Sequence, residues 1–359
     1  MIQPTLSKES TSASVIPPPW RGPLFVIGLW RSGTSLLYAL LNKHPQIGLL
    51  FEGDLFLLKP MFWLPEAGSS RLARWELRNG APTRNGIDVR RIMSNASQLK
   101  TTMLASYEEY ARQKGATIWG EKSPLYHHSL IGLARDFPDA RFMIIWRDPR
   151  AILRSVVRAS DAPGGFFSQR GMVYRTLIGY KEMKLQCDRL VSLGVPVHQI
   201  QYETLVSDPV VTMTAACEFL GIPFVASAAS LEGANRSAIG DDSWNSLVKS
   251  ERIVSSLHRP EVLPKGLSEK IERYISLWRE ESGGSWPLLA TPQTSDHRKP
   301  SWRERAVDRC GYAFFRTLDS IKLVLYCSLP LRFLRARYAF RDWRRASAAK
   351  HRNQSEARG

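Results

Sequence analysis

Cysteine is scarce in this chain of 359 residues. The four cysteines are Cys187, Cys217, Cys310 and Cys327, and none of them has a C-x-x-C or histidine-paired spacing. This scatter argues against a zinc site and against a disulfide framework, and it favours a reducing compartment. The sequence therefore predicts no metal site.

Long apolar runs are also lacking. The first 20 residues hold one lysine and no continuous apolar segment before Pro17, so no secretory signal is visible. No uncharged apolar run elsewhere is long enough to span a bilayer. Together with the cysteine pattern, these absences predict a cytoplasmic protein.

The composition is that of a globular protein, because 43% of the residues are hydrophobic. The length suits one α/β domain of about 250 residues with added pieces. Residues 1–22 are rich in serine, threonine and proline and are predicted to form a flexible N-terminal arm. We assign residues 23–290 to the main domain and residues 291–359 to a helical extension.

A phosphate-binding pattern near the N-terminus lacks the lysine of nucleoside triphosphatases. An apolar strand at residues 24–27 leads into glycine-bounded residues 28–33, and a helical pattern follows. Ser35 fits the last position of G-x-x-x-x-G-K-[ST], but Thr34 stands where the lysine should be. Arg31 supplies a positive charge from inside the loop. The loop therefore suits a phosphate or a sulfate at a helix N-terminus, but not the usual Mg-ATP geometry of a kinase.

Four polar residues follow or end further predicted strands. They are Glu52 after residues 46–51, Lys122 after residues 116–120, Arg147 after residues 141–146, and Tyr202 at the end of residues 195–202. The alternation of strands and helices predicts an α/β fold with a central parallel sheet between two layers of helices. The carboxyl ends of parallel strands face the ligand crevice, so we expect these side chains to meet there.

Position alone leaves alternatives open. Glu52 is equally consistent with a solvated loop acid or a cap for the next helix. Arg147, with Ser155 about two turns along the following helix, suits bidentate contact with a fixed anion, or a surface ion pair with Asp148.

The segments together resemble the sulfotransferase family that uses 3′-phosphoadenylyl sulfate (PAPS). The resemblance is carried by Arg31-Ser32-Gly33-Thr34-Ser35, Glu121-Lys122-Ser123-Pro124, Arg147-Asp148-Pro149-Arg150 through Ser155, and Tyr202-Glu203-Thr204-Leu205 through Pro209. It covers roughly residues 22–290 and implies a P-loop-like sulfotransferase domain. The spacing from Arg31 to Glu52 resembles the branch that includes the tyrosylprotein sulfotransferases.

The resemblance also implies roles for individual residues. The 5′-phosphosulfate would be held by Arg31, Ser32, Gly33, Thr34 and Ser35, the 3′-phosphate by Arg147 and Ser155, and the adenine by Tyr202, with a loop from Ser237 to Trp244 closing over the nucleotide. Glu52 would be the catalytic base, and Lys122 and Arg31 would stabilise developing charge without a metal. A second arginine for the 3′-phosphate is out of register, since Ala159 stands there and Arg158 is its neighbour.

Three histidines are rival bases. His44 precedes Pro45, and we expect it to be part of a structural turn; His127 and His128 are weaker rivals. A nucleotide-dependent P-loop kinase is the second enzyme hypothesis, and Mg²⁺-dependent ATP consumption would support it.

Positive charge is concentrated at the C-terminus. Residues 301–359 contain 14 Lys and Arg against 5 Asp and Glu, so they hold +9 of the net charge of +17. Residues 311–340 mix aromatic, aliphatic and basic side chains, which is typical of a helix on an anionic membrane surface. The alternative is a set of helices packed on the core with solvated arginines. Nucleic acid is not expected as a partner, because no recognised motif is present.

These features predict a cytoplasmic enzyme peripheral to the inner face of the membrane. Its partner would be an acceptor with a hydroxyl group, and a glycan, glycolipid or lipid-linked acceptor is favoured, with peptide tyrosine and small alcohols left open. A basic membrane-surface binding protein without catalysis is the hypothesis from another class.

Overall fold

The computed structural model describes most of the predicted main domain and part of the C-terminal extension. The described residues are 22–160, 171–235, 237–239 and 301–340, with Trp20, Phe167, Ile253, 266–269, 271–273, Ile275 and Trp343. The predicted N-terminal arm lies outside the described residues except at its end, and so does the predicted closing loop after Ile239.

Five parallel strands form the centre of the molecule, in the order β2-β3-β1-β4-β5. The strands are β1 (Leu24–Ile27), β2 (Ile47–Phe51), β3 (Ile118–Lys122), β4 (Arg141–Trp146) and β5 (Val197–Gln201). Because β1 lies between β3 and β4, the loop that follows it opens where the strand order reverses, which is the usual ligand crevice of such sheets.

Helices cover both faces of this sheet. In chain order they are α1 (Thr34–Leu41), α2 (Gly68–Asn79), α3 (Ala81–Arg84), α4 (Val89–Ile92), α5 (Leu99–Lys114), α6 (Leu130–Asp136), α7 (Pro149–Ser160), α8 (Met172–Ser192), α9 (Tyr202–Ser207), α10 (Pro209–Leu220), α11 (Trp302–Ser328) and α12 (331–340). Alternate strand residues enter two separate cores: Phe25 and Ile27 face one, and Leu24 and Val26 face the other. The predicted three-layer α/β fold is confirmed.

Five predicted strand limits are wrong by one or two residues, and three of them are starts: β2, β3 and β5 begin at Ile47, Ile118 and Val197 instead of residues 46, 116 and 195. β3 continues past Gly120 and ends at Lys122, which pairs in register with both Val26 and Phe51. β5 ends at Gln201, and Tyr202 already begins α9. The pairing of β3 continues through charged residues because their side chains find buried partners.

The C-terminal helices have one side against the core. Tyr326 and Cys327 of α11 and Leu334 of α12 are buried in the same apolar cluster as the short 3₁₀ helix Leu55–Phe62. Within the part of the chain that the structure describes, no helix combines the length and the low polarity that crossing a membrane requires.

Candidate active site

The phosphate loop lies between β1 and α1 and has an unusual backbone. Arg31 and Gly33 have φ values of 68° and 100°, in the left-handed region. A Cβ atom at Gly33 would lie 2.3 Å from Cδ2 of Tyr202, so only glycine fits this approach. No side chain caps the N-terminus of α1, which leaves its first amides directed at the crevice.

Ser32 has a hydroxyl group that lacks a partner. Its Oγ atom is buried and makes no hydrogen bond to any of the described residues. Such a group costs about 1–3 kcal/mol when left unpaired. An anion held by the loop would accept a hydrogen bond from this hydroxyl group, so the loop fits a phosphate or sulfate group.

Two arginines and a serine meet beside the loop. Arg31 donates from Nε to Ser155 Oγ at 2.8 Å, and Arg147 donates from Nη1 to the Arg31 carbonyl oxygen at 2.8 Å. The Arg147 guanidinium also lies 4.2 Å from the centre of the Tyr202 ring. Burial, followed by the charges of Arg147 and Arg158, lowers the pKa of Arg31 to about 10. This concentration of positive charge suits a second anionic group.

Arg158 and Arg31 both bear on the predicted 3′-phosphate site. The positive charge of Arg158 contributes to the lowered pKa of Arg31, and contact of Arg158 with the 3′-phosphate stays an open question from the sequence. Arg31 was expected beside the transferring group, whereas its side chain lies with Ser155, the residue predicted for the 3′-phosphate.

Glu52 and Lys122 form an ion pair on the other side of the phosphate loop. The Lys122 Nζ atom is 2.5 Å from Glu52 Oε1, 3.1 Å from Ser35 Oγ and 4.1 Å from the centre of the Phe51 ring. The lysine side chain is 1% exposed and that of the glutamate 29%. Burial lowers the pKa of Lys122, and the charge of Glu52 opposes this shift. The structure thus brings these residues to the first turn of α1.

The turn at residues 52–54, called the Glu52 corner below, is fixed by hydrogen bonds to its backbone. Glu52 and Asp54 have φ values of 47° and 56°, which costs about 1–3 kcal/mol at each non-glycine residue. The Glu52 carbonyl oxygen accepts hydrogen bonds from Asn79 Nδ2 and Arg84 Nη2, each at 2.9 Å. The Glu52 amide donates to the Lys122 carbonyl at 2.8 Å. These contacts fix the direction in which the carboxylate leaves the chain.

A buried carboxyl group, Glu121, supports the same corner. It accepts hydrogen bonds from the Asp54 amide at 2.6 Å, from Tyr107 at 2.6 Å and from Tyr126 at 3.0 Å. Burial, followed by the charge of Asp54, raises the pKa of Glu121 to about 8. Asp54 itself accepts from Ser123 Oγ at 2.6 Å.

Sequence reasoning missed this supporting layer. It assigned no site residue between positions 55 and 115, where Asn79, Arg84 and Tyr107 lie. Gly80 after Asn79 does mark a helix end, but nothing in the sequence connects that end with Glu52.

The rival histidines have structural contacts. His44 is buried, with Nε2 2.9 Å from the Pro223 carbonyl and Nδ1 accepting from the Gln46 amide at 3.1 Å. His127 contacts the Pro124 carbonyl at 2.9 Å, and burial lowers its pKa to about 4. Burial, followed by the charge of His127, lowers the pKa of His128 to about 3.

Ser237, the remaining predicted site residue, has local hydrogen bonds among the described residues. It is exposed, and both its amide and its hydroxyl donate to Asn235 Oδ1, at 3.0 Å and 2.8 Å. These bonds are local and do not connect it to the phosphate loop.

A family model, described as the sulfotransferase family, matches residues 23–226. The matched stretch is more than half of the chain and runs from β1 past the end of α10. The chain belongs to the sulfotransferase family. This sulfotransferase is therefore a transferase enzyme, and its family implies PAPS as the sulfuryl donor. Among the described residues, no cluster of three or more His, Cys, Asp or Glu side chains could hold a metal ion.

Relatives and solved structures of the same kind resemble the sulfotransferase. Protein-tyrosine sulfotransferase 1 of Danio rerio is 28% identical over 281 residues, which are 77% of this chain and 73% of that protein. Protein-tyrosine sulfotransferase 2 of Gallus gallus is 26% identical over 243 residues, 66% of this chain and 60% of that protein. The sulfotransferase domain of the curacin biosynthetic pathway superimposes with a TM-score of 0.49 at 16% identity, over 75% of this chain and 100% of that one.

Proposed function

We propose that this sulfotransferase moves the sulfuryl group of PAPS to an acceptor hydroxyl by in-line transfer, with Glu52 as general base. The observation that carries the proposal is the Glu52–Lys122 pair beside Ser35, with distances of 2.5 Å and 3.1 Å from the lysine nitrogen. PAPS, when bound, supplies the electrophilic sulfuryl group. The partly exposed carboxylate of Glu52 can take the acceptor proton, while the buried ammonium group of Lys122 balances the charge.

The nucleotide-binding residues divide into two groups. We assign the 5′-phosphosulfate to Ser32, Gly33, Thr34, Ser35 and the first amides of α1. The support for this assignment is that the buried Ser32 hydroxyl makes no hydrogen bond to the described residues. We assign the 3′-phosphate to Arg147 and Ser155 and the adenine to Tyr202. Arg31 lies between the two groups, since its side chain donates to Ser155. Lys122 is then the cation next to the transferring group, and Arg31 contributes from the nucleotide side.

The acceptor that we favour is a glycan, glycolipid or lipid-linked hydroxyl. The basic, partly apolar C-terminal extension supports a substrate at a lipid surface. Protein tyrosine is the alternative, because the Danio rerio and Gallus gallus relatives are named for it. We further propose a cytoplasmic location at the inner face of the membrane, with an anionic membrane surface as the second partner.

Glu52→Gln tests the proposed base. Turnover of labelled PAPS with a panel of lipid, glycan and tyrosine-peptide acceptors should fall by about 10² to 10⁴. Calorimetric affinity for the product nucleotide should be unchanged, because Glu52 is not among the residues that we assign to the nucleotide. Glu218→Gln, at an exposed position of α10, is the matched control and should keep full turnover. Full turnover in Glu52→Gln would refute the assignment.

A further inference from the structure

The outward side of α11 carries an uninterrupted uncharged surface. Between positions 310 and 328, some side chains fall within one arc of about 120° around the helix axis, at 3.6 residues per turn. All the residues within this arc are uncharged and exposed. These residues, the apolar stripe, are Cys310, Ala313, Phe314, Thr317, Ile321, Val324, Leu325 and Ser328. The stripe is about 27 Å long at 1.5 Å per residue. Phe314, Leu325 and Ile321 are 62%, 55% and 50% exposed, so large side chains meet solvent here.

The opposite side of α11 is fixed to the domain, so the stripe cannot turn inward. Tyr326 and Cys327 are buried in the core, and Asp319 pairs with Arg175 of α8. Arg316, on the flank of the helix, pairs with Glu182 of the same helix α8.

Positive charge follows the stripe in the sequence. Residues 331–359 hold nine Lys and Arg and two acidic residues. Arg332, Arg335 and Arg337 of α12 are exposed, and Phe333 between them is 56% exposed. A bilayer surface of negative charge would be complementary to both the apolar and the basic parts.

We propose that the apolar stripe and the arginines of α12 bind an anionic lipid bilayer, with α11 lying in the plane of the interface. The apolar side chains would enter the headgroup and acyl boundary, and the arginines would contact lipid phosphates. A second copy of the chain is a poorer occupant, because the same dense positive charge on both copies would repel.

The bilayer would then lie in a fixed relation to the Glu52 corner. Tyr326 of α11 donates from its hydroxyl to the Arg74 carbonyl of α2 at 2.6 Å, and Asn79 ends the same helix and donates to the Glu52 carbonyl at 2.9 Å. This path would hold the Glu52 corner at a constant distance from a bilayer bound by α11, as the proposed acceptor at a lipid surface requires. That consequence rests on the proposed sulfuryl transfer, whereas binding to the bilayer rests only on the membrane partner proposed above and names the surface that would make the contact.

Vesicle binding by the full chain tests the stripe. Wild type should cosediment with vesicles of phosphatidylglycerol and phosphatidylcholine, and not with phosphatidylcholine alone. Phe314→Glu with Ile321→Glu should weaken binding by at least about tenfold, since both side chains would leave the acyl boundary. Val210→Glu with Val211→Glu is the matched control: these residues are 52% and 58% exposed on α10, the charge change is equal, and binding should persist.

A second variant tests the basic part. Replacing Arg332, Arg335 and Arg337 by glutamine should weaken binding by about a hundredfold, and added salt should weaken wild-type binding. The proposal is overturned if wild type does not bind, or if the stripe variant binds as tightly as wild type. It is also overturned if light scattering shows that wild type is a dimer, and that the stripe variant is a monomer which still binds vesicles.

Affinity for the product nucleotide, measured on every variant, separates the two proposals and reports folding. Intact nucleotide binding with no vesicle binding refutes the membrane partner and its surface, but not the proposed sulfuryl transfer. Vesicle binding without nucleotide binding refutes the proposed function alone.

Discussion

Gly33 joins the phosphate loop to the residue predicted to contact adenine. Gly33→Ala would combine a φ of 100° with a Cβ atom 2.3 Å from the Tyr202 ring. The ring must then move, so we expect affinity for the product nucleotide to fall by at least about tenfold, the equivalent of 1.4 kcal/mol. Isothermal titration calorimetry measures this change.

Gly221→Ala is the control for backbone strain. Its φ of 72° is also left-handed, but nothing lies within 4 Å of the added Cβ atom. We expect a loss of roughly 1–2 kcal/mol of folding stability and unchanged nucleotide affinity. Equal affinities of the two glycine variants would show that the contact with Tyr202 is unimportant.

Glu121 makes stability depend on pH. Its pKa is raised from 4.5 to about 8 in the folded state, mainly by burial. The protonated form is therefore favoured on folding: its contribution is fully present below pH 4.5 and is lost as the pH rises through about 8. Glu121→Gln removes this titration, so the Tm of wild type minus that of the variant should decrease from about pH 5 to about pH 8.5. A difference in Tm that stays constant with pH would contradict this assignment.

The principal polar residues of the candidate site could be predicted because each lies at a strand end. Glu52, Lys122 and Arg147 all follow or end runs of strand-forming residues. The parallel topology then brings the carboxyl ends of these strands to the same edge of the sheet. Asn79 and Arg84 could not be predicted. They donate hydrogen bonds to a backbone carbonyl, and no sequence pattern indicates such a contact. The direction of the Arg31 side chain was also beyond the sequence, since it depends on Ser155 of α7.

At the scale of elements, α2 acts as the support of the Glu52 corner. Its last residue, Asn79, donates to the Glu52 carbonyl at 2.9 Å, and Trp75 donates from Nε1 to the Gly53 carbonyl at 2.6 Å. Asn79→Ala should lower kcat by about tenfold through a displaced carboxylate, with a stability loss of about 1–2 kcal/mol. Affinity for the product nucleotide should not change.

Asn95→Ala is the control for the asparagine substitution. Asn95 is exposed after α4, so both kcat and Tm should stay close to wild type. A kcat for Asn79→Ala equal to that of this control would show that the corner keeps its shape without the hydrogen bond.

The extent of β3 shows why some element limits escape sequence reasoning. Charged residues normally end a strand, and Glu121 and Lys122 suggested a loop. Both are buried within the strand because each has a hydrogen-bond partner. Tyr107 and Tyr126 donate to the Glu121 carboxyl group, and Lys122 donates to Glu52. The apolar side chains of β4, in contrast, pack against apolar residues on both faces of the sheet. The sequence predicted the limits of this strand correctly.

For the whole molecule, the C-terminal helices are part of the folded domain. Deleting residues 301–359 would remove the buried side chains Tyr326, Cys327 and Leu334 from the core. Core truncations cost about 2–5 kcal/mol each, so we expect a markedly lower Tm and more exposed apolar surface in dye binding. An unchanged Tm would show that the domain folds without these helices.

The sequence could not decide between a membrane helix and a packed helix for residues 311–340. Both alternatives require the same apolar residues, and only the tertiary structure says which of them face the core. α11 divides them: Tyr326 and Cys327 face inward, whereas Phe314, Ile321 and Leu325 face outward.

The left-handed backbone at Glu52 also bears on how the enzyme would respond to selection. Asparagine and glycine adopt a φ of 47° at lower cost than glutamate. Either replacement would, however, leave the buried ammonium group of Lys122 without the Glu52 carboxylate, and breaking a buried ion pair costs about 3–5 kcal/mol, more than the strain that is relieved. The pair with Lys122 therefore makes glutamate the favoured residue at this strained position for folding as well as for the proposed catalysis, so a screen for heat resistance should retain Glu52.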